Sequence, residues 1–208
     1  MTAEMYQRLA CYGDFYKLKP TFAKPSEFVD YTENNFEYVT YNPRKNIPRK
    51  GLSITSLDGK LSGKPDLDSI LEYNKKNQTR YNETYFDVPT PVYNFPSVKD
   101  CFDPIKDCIC RTHILRLDPG GYFPPHRDII WDQFRSFRLI IPLKNMRPPN
   151  LTFILDNNIL DWETGGIYFV NTAKLHYVFN TYIEPSYMIV VNMKLNQKSI
   201  DFVSQNIL

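Results

Sequence analysis

The sequence predicts a mainly β fold, a jelly roll or barrel with helices packed on its outside. Three observations predict it. Six strand-like runs crowd into the second half: RTHILRL, FRLIIPL, LTFILD, GIYFVN, LHYVFN and SYMIVVNMKL. Turn signals separate them at short intervals, in DPGG at 118–121, DNN at 156–158, ETGG at 163–166 and EPS at 184–186. Helical periodicity is confined to the first hundred or so residues. Many short strands with regular turns suit an all-β barrel or jelly roll rather than a parallel sheet.

The first half is rich in Pro, Asn, Lys and Tyr. One helix is expected after Pro25, in SEFVDYTENN, with Ser26 as N-cap and Glu27 in the first turn. A second is expected in DLDSILEYNKK, where Leu67, Ile70 and Leu71 share a face. There Asp66 can cap, and Lys75 and Lys76 suit the C-terminal end. A third runs through SVKDCFDPIKD, lined by Val98, Cys101, Phe102 and Ile105 and bent or ended by Pro104. Between them EYVTYN and KGLSITSL alternate apolar and polar residues like strands. No repeat, low-complexity tract or clear linker divides the chain. The reading is one domain over 1–208, with 1–109 as its mixed helix and strand part and 110–208 as its β core.

Composition limits the function classes. Aromatic residues make up 15% and hydrophobic residues 42% of 208 residues, enough for a substantial core. A net charge of +2 argues against a nucleic-acid partner. The N-terminus has no apolar h-region, and no run approaches the roughly 18 apolar residues of a membrane span. A soluble, cytoplasmic protein is expected, with no membrane partner. Without a secretory signal, Cys11, Cys101, Cys108 and Cys110 are not expected to form disulfides. Cys101, Cys108 and Cys110 with His113 can also be read as a zinc site. Their spacing is not that of a zinc knuckle, so buried neutral thiols are the favoured reading.

The chain has only 3 histidines. His126 lies in PPHRD, just after the DPGG turn, and Asp128 follows two residues later. In extended chain, residues two apart point to one side, so both side chains can reach one ion. His176 lies about fifty residues downstream in LHYVFN, in a strand of the same barrel. Two neutral imidazoles and a carboxylate on one face of an octahedron suit non-haem Fe(II), leaving positions open for a cosubstrate and O₂. The bland alternatives are a local turn pair for His126 and Asp128 and a hydrogen-bonded core residue for His176. His113 reads as a core histidine sharing strand parity with Leu115 and Leu117.

At these residues, over roughly 110–195, the sequence resembles the aspartyl/asparaginyl β-hydroxylase family of Fe(II)- and 2-oxoglutarate-dependent oxygenases. The linked features are LDPGGYFPPH leading to the first His, an R-x-x-x-P-L segment from Arg138 to Leu143, GGIYFVNTAKLH reaching the second His, and HYVFN matching H-x-V-x-N with Asn180 last. The resemblance implies a cupin-like double-stranded β-helix, Fe(II), 2-oxoglutarate and O₂. It also implies C–H hydroxylation of a small-molecule amino acid or a residue in a peptide or protein. His126, Asp128 and His176 would be the catalytic metal ligands, and Arg138 would fall near the cosubstrate, where a guanidinium grips a carboxylate. Arg138 also reads as an arginine that faces solvent or pairs with a surface carboxylate.

Two positions depart from the family. Its R-x-H pattern becomes Arg138 and Ile140, and the arginine expected about ten residues after the distal His is Ser186. A dicarboxylate in an apolar barrel needs a cation. The candidates are Arg138 first, then Arg116, Arg135 or Lys194. The missing arginine leaves open a cupin-like metal protein with non-oxoglutarate chemistry, and a catalytically inactive homologue is the third reading. Elsewhere, Arg44, Lys45, Arg49 and Lys50 fall within seven residues. They read as a solvated loop, or as a basic lip for an acidic substrate or an amino-acid carboxylate. Trp131 reads as a cover for the site or as packing. Asp132 and Asp161 have no evident role.

Overall fold

The longest apolar runs of the sequence are strands buried on both faces. A computed structural model describes residues 2–128 and 135–208, so Trp131 and Asp132 lie outside the described residues. In chain order the strands are β1 (Phe15–Thr21), β2 (Val39–Thr40), β3 (Arg49–Ser53), β4 (Thr55–Ser56), β5 (Val88–Pro89), β6 (Ile109–Leu117) and β7 (Tyr122–His126). They continue with β8 (Ser136–Lys144), β9 (Leu151–Leu155), β10 (Asn158–Ile159), β11 (Gly166–Val170), β12 (His176–Asn180) and β13 (Ser186–Lys194). The helices are α1 (Thr2–Ala10), α2 (Pro25–Asn35), α3 (Ile70–Asn77), α4 (Pro96–Phe102) and α5 (Gln197–Gln205).

A 7-stranded sheet, ordered β1-β11-β8-β13-β6-β3-β2, faces a 4-stranded sheet, ordered β10-β9-β12-β7. All pairings in both are antiparallel. The expected jelly roll with outer helices is therefore present. Strands alternate side chains between faces. On β13, Ile189 and Val191 join Ile114, Leu139, Ile141 and Phe169 against Leu9, Phe28, Val98, Phe102 and Ile200 of the helical layer. Met188 and Val190 point the other way, into a second cluster with Leu115, Leu117, Ile140, Phe153, Trp162 and Val178 between the two sheets.

The first hundred residues do more than cover the core. β1 forms one edge of the large sheet, and β3 with β2 forms the other. β1 was not expected; it is an edge strand that alternates buried Tyr16 and Leu18 with lysines and tolerates Pro20 at its end. α1 and α5 were also not expected. Each is too short for a clear period, and their apolar residues Leu9, Ile200 and Val203 are buried in the helical layer. Two caps differ from expectation. α2 begins at Pro25 with Lys24 as its N-cap, so Ser26 already lies inside the helix. α3 is capped by Ser69, whose hydroxyl accepts from the Glu72 N–H at 3.3 Å. Asp66 instead accepts from the Leu57 N–H at 3.0 Å. Pro104 behaves as expected, separating α4 from a 3₁₀ segment at Asp103–Cys108. The Arg44–Lys50 segment is not all solvated: Arg49 is only 3% exposed.

The turn between β6 and β7 is clamped. Gly120 takes a φ of +74°, and a Cβ on Gly121 would collide with the Pro48 carbonyl oxygen. Asn180 secures the same corner from β12. Its Nδ2 donates to the Leu117 carbonyl at 2.8 Å and the Glu184 carbonyl at 2.9 Å, while its Oδ1 accepts from the Tyr182 N–H at 2.9 Å. Asn180→Ala would leave these groups unpaired in a buried corner. It is expected to lower the free energy of unfolding by about 2 kcal/mol, read in urea with an unchanged slope. A loss under about 0.5 kcal/mol would contradict this role.

Candidate metal centre

β7 carries His126, the first candidate ligand, on a strand that its two prolines make hard to foresee. It lies at the edge of the small sheet, where a missing N–H can be tolerated. The pairing runs His176 to His126 and then Val178 to Phe123, so Pro124 and Pro125 together oppose Tyr177 in a bulge. That bulge sets His126 directly opposite His176. Their ring centroids are 4.2 Å apart. Just beyond the strand, the Asp128 N–H donates to the Thr172 carbonyl at 3.0 Å, fixing the third side chain.

The three predicted ligands meet. Asp128 Oδ1 lies 3.3 Å from His126 Nε2, and Oδ2 lies 3.8 Å from His176 Nε2. One ligand atom from each falls within 4.8 Å of the others. Atoms about 2.1 Å from a shared ion at right angles would be about 3 Å apart, so small adjustments would close the site on a metal. Each histidine sets its Nδ1 against a carbonyl, Pro124 at 2.7 Å for His126 and Lys174 at 3.0 Å for His176. A carbonyl can only accept, so Nδ1 carries the proton and Nε2 keeps its lone pair for an ion. The donor set fits a borderline divalent metal such as Fe(II).

Electrostatics keep the carboxylate charged. Burial opposes ionisation of Asp128, yet the Arg138 guanidinium and the two imidazoles hold it well below the usual carboxylate range. Arg138 Nε donates to Asp128 Oδ2, Nη1 donates to Asn192 Oδ1, and Nη2 lies 3.4 Å from Glu83 Oε1. Arg138 therefore points inward and pairs with half-buried carboxylates, not with a surface one. Glu83, which the sequence did not single out, lies between two arginines. Its Oε1 also takes a bond from Arg111 Nη1 at 3.1 Å. Arg111 sits at a bulge of β6 against β13 with a φ of +34°, a strained conformation of the kind that gathers at functional sites.

These side chains separate two cavities. The inner one, about 80 Å³, is walled by Leu115, Ile140, Phe153, Met188 and Val190, with the three candidate ligands at its side. The outer cleft, about 390 Å³, carries Asp68, Glu83, Arg111, Arg135 and Tyr81. Tyr41, Arg111, Asp128, Arg138 and Thr172 line both. His113 lines the inner cavity as a neutral residue, its pKa pushed down to about 3 by burial and by Arg111. Cys108 and Cys110 are buried thiols and Cys101 is half-buried; desolvation pushes the pKa of all three up, to about 12 for Cys101. No group of His113 with Cys101, Cys108 and Cys110 comes together among the described residues. Asp161 pairs with Arg147 at 2.7 Å on the surface.

Neither a protein-family model nor a curated protein matches the sequence. Solved structures do match. An oxidoreductase of the 2OG-Fe(II) oxygenase family from Burkholderia pseudomallei aligns at 13% identity and TM-score 0.50, over 94% of this chain and 92% of that one. The non-heme alpha ketoglutarate dependent epimerase SnoN from nogalamycin biosynthesis aligns at 10% identity and TM-score 0.50, over 93% and 82%. The chain shares their fold. Within this double-stranded β-helix the alignments span both halves of the chain, beyond the 110–195 stretch that carried the sequence resemblance. The narrower likeness to aspartyl/asparaginyl β-hydroxylases is not shown by these comparisons. Among the described residues no helix is long and apolar enough to cross a membrane.

Glu83 gives the site a pH signature. Burial raises its pKa, but Arg138, Arg111 and the Ser136 hydroxyl outweigh that and hold it down to about 2, against 4.5 for a free carboxyl. A depressed pKa stabilises the fold above the unfolded value and loses that contribution as pH falls through the folded one. Glu83→Gln is therefore expected to cost about 2 kcal/mol at pH 7, discounted for partial exposure. The gap should shrink as pH drops from about 4.5 toward 2, read by urea unfolding across pH. A gap that stays constant over that range would refute the pairing.

Proposed function

We propose that the protein is a non-haem Fe(II)- and 2-oxoglutarate-dependent oxygenase that hydroxylates a C–H bond of an amino acid or of a residue in a peptide or protein. The observation that carries this reading is the two imidazoles and one carboxylate converging beside a largely apolar cavity inside a double-stranded β-helix. His126, Asp128 and His176 would hold the metal. Bound together, Fe(II), 2-oxoglutarate and O₂ supply C–H oxidation coupled to conversion of 2-oxoglutarate to succinate and CO₂.

The chain's own residues divide the remaining work. Carbonyl contacts at both Nδ1 atoms orient the imidazoles, and Arg138 keeps Asp128 ionised and directed at them. Arg138 acts at the metal end of the cosubstrate, where its charge also suits the 2-oxo acid group. The apolar walls of the inner cavity, Leu115, Ile140, Phe153, Met188 and Val190, would lie against that cosubstrate. The outer cleft presents guanidiniums and carboxylates together, which suits the mixed charges of an amino acid or peptide. Ser186 favours one other reading, a cupin-like metal protein with non-oxoglutarate chemistry.

One set of measurements separates the readings. Wild-type protein is expected to bind Fe(II), to develop a visible charge-transfer band when 2-oxoglutarate is added without oxygen, and to form succinate in air. His176→Ala and Asp128→Ala should each weaken metal binding beyond the about 10–100-fold that loss of an outer partner costs. Metal binding with neither the band nor metal-dependent succinate would select the other chemistry. Unchanged metal affinity in both variants would refute the ligand assignment.

A further inference from the structure

Among the described residues, the cations facing the barrel interior are matched by carboxylates, with one exception. Arg138 has Asp128 and Glu83, and Arg111 has Glu83. The other candidates are also engaged or remote from the interior: Arg116 pairs with Glu33 and Asp118, and Lys194 with Asp87. Arg135 lines the outer cleft. Arg49 is 3% exposed, and among the described residues no carboxylate pairs with it. Its Nη1 donates to the Tyr122 carbonyl at 3.2 Å, while its buried Nε has no partner among the described residues. The guanidinium lies 4.2 Å from the centre of the Phe123 ring and 5.5 Å from that of Tyr41, two residues that line the inner cavity. A buried guanidinium left without a counter-charge is costly, and an incoming carboxylate would offset that cost.

We propose that Arg49 anchors the distal carboxylate of 2-oxoglutarate, supplying from β3 the cation that position 186 lacks. The proposal rests on the oxygenase reading above. Ser186 pairs with Leu117 on β6, and Leu117 pairs with Arg49 on β3, so the three residues form one row across the large sheet. Paired residues share a face, and Leu117 faces the barrel interior. Arg49 therefore enters the barrel from two strands away at the same level as Ser186. The Ser186 hydroxyl is spent on the Asn145 carbonyl at 2.8 Å.

The spacing also fits. Phe123, under the guanidinium, precedes His126 by three residues on β7, about 10 Å of extended strand. A five-carbon diacid spans about 5 Å between its end carbons, from bonds of about 1.5 Å. Metal–oxygen contact at one end and a hydrogen bond at the other fill the remaining distance. The backbone holds Arg49 in place, since its N–H donates to the Ile47 carbonyl at 2.7 Å and its carbonyl accepts from the Tyr41 N–H at 3.1 Å.

The test compares 2-oxoglutarate with 2-oxobutyrate, a 2-oxo acid that lacks the distal carboxylate. Binding to the Fe(II) protein is read anaerobically from the charge-transfer band, and to the Co(II) protein by calorimetry. Wild type is expected to prefer 2-oxoglutarate by about 100-fold, the scale of a charge-assisted pair. Arg49→Met should lose that preference while binding 2-oxobutyrate and metal within about threefold of wild type. A wild type with no preference, or an Arg49→Met that keeps it, overturns the anchor and leaves the oxygenase reading standing. Metal binding with affinity for neither acid overturns both. Should Arg49→Met fail to fold, Arg49→Lys carries the same test. A preference cut by about tenfold supports the bidentate grip, and an unchanged one overturns it.

Discussion

A slip of one residue between β12 and its neighbours would turn His176 out of the barrel, because side chains alternate faces at every position. The register is held from both sides. β9 pairs with β12 without a break from His176 to Asn180. β7 pairs with it through the Pro124–Pro125 bulge, which brings His126 level with His176. Asn180 then pins the far end of β12 to the Leu117 and Glu184 carbonyls. The H-x-V-x-N segment therefore has a physical meaning. The His reaches the centre, the Val fills the inner core, and the Asn fixes the register that makes the His useful.

Charge balance is the second constraint. An isolated carboxylate between two sheets would protonate and lose its value as a ligand. Arg138 prevents this at Asp128, and Glu83 in turn balances Arg138 and Arg111. The chain Arg111–Glu83–Arg138–Asp128 leaves the carboxylate ionised before any ion arrives. Such a network is strong only while complete, since loss of one member strands a buried charge. Arg49 stands outside it, held by rings and one carbonyl.

Legibility in the sequence followed local pattern. The six runs of the second half were readable because two-sided burial leaves long apolar stretches. The three candidate ligands were readable because histidine is rare here and the i, i+2 spacing is a strand spacing. β7 was not, since two prolines erase the strand signal and only its edge position and bulge explain them. Glu83 lies far from any motif, in a 3₁₀ turn (Glu83–Tyr85) between α3 and β5 that only the fold sets against β6. Arg49 was hidden in a basic run that resembles a solvated loop. Periodicity cannot show that the Pro48–Arg49 step is clamped against Gly121 and that Arg49 turns inward.

The two halves of the chain thus contribute different parts of the site. The stretch with a motif resemblance, 110–195, supplies the candidate metal ligands and Arg138. The stretch without one supplies Tyr41, Arg49, Asp68, Tyr81 and Glu83, which surround the two cavities or balance the charges within them. Metal geometry tolerates little variation, so its ligands stay recognisable as a pattern. A carboxylate anchor needs only a cation at the right point, and several strands pass near that point in a rolled sheet. On the proposed reading the anchor sits on β3 in place of β13, and the candidate metal centre is undisturbed.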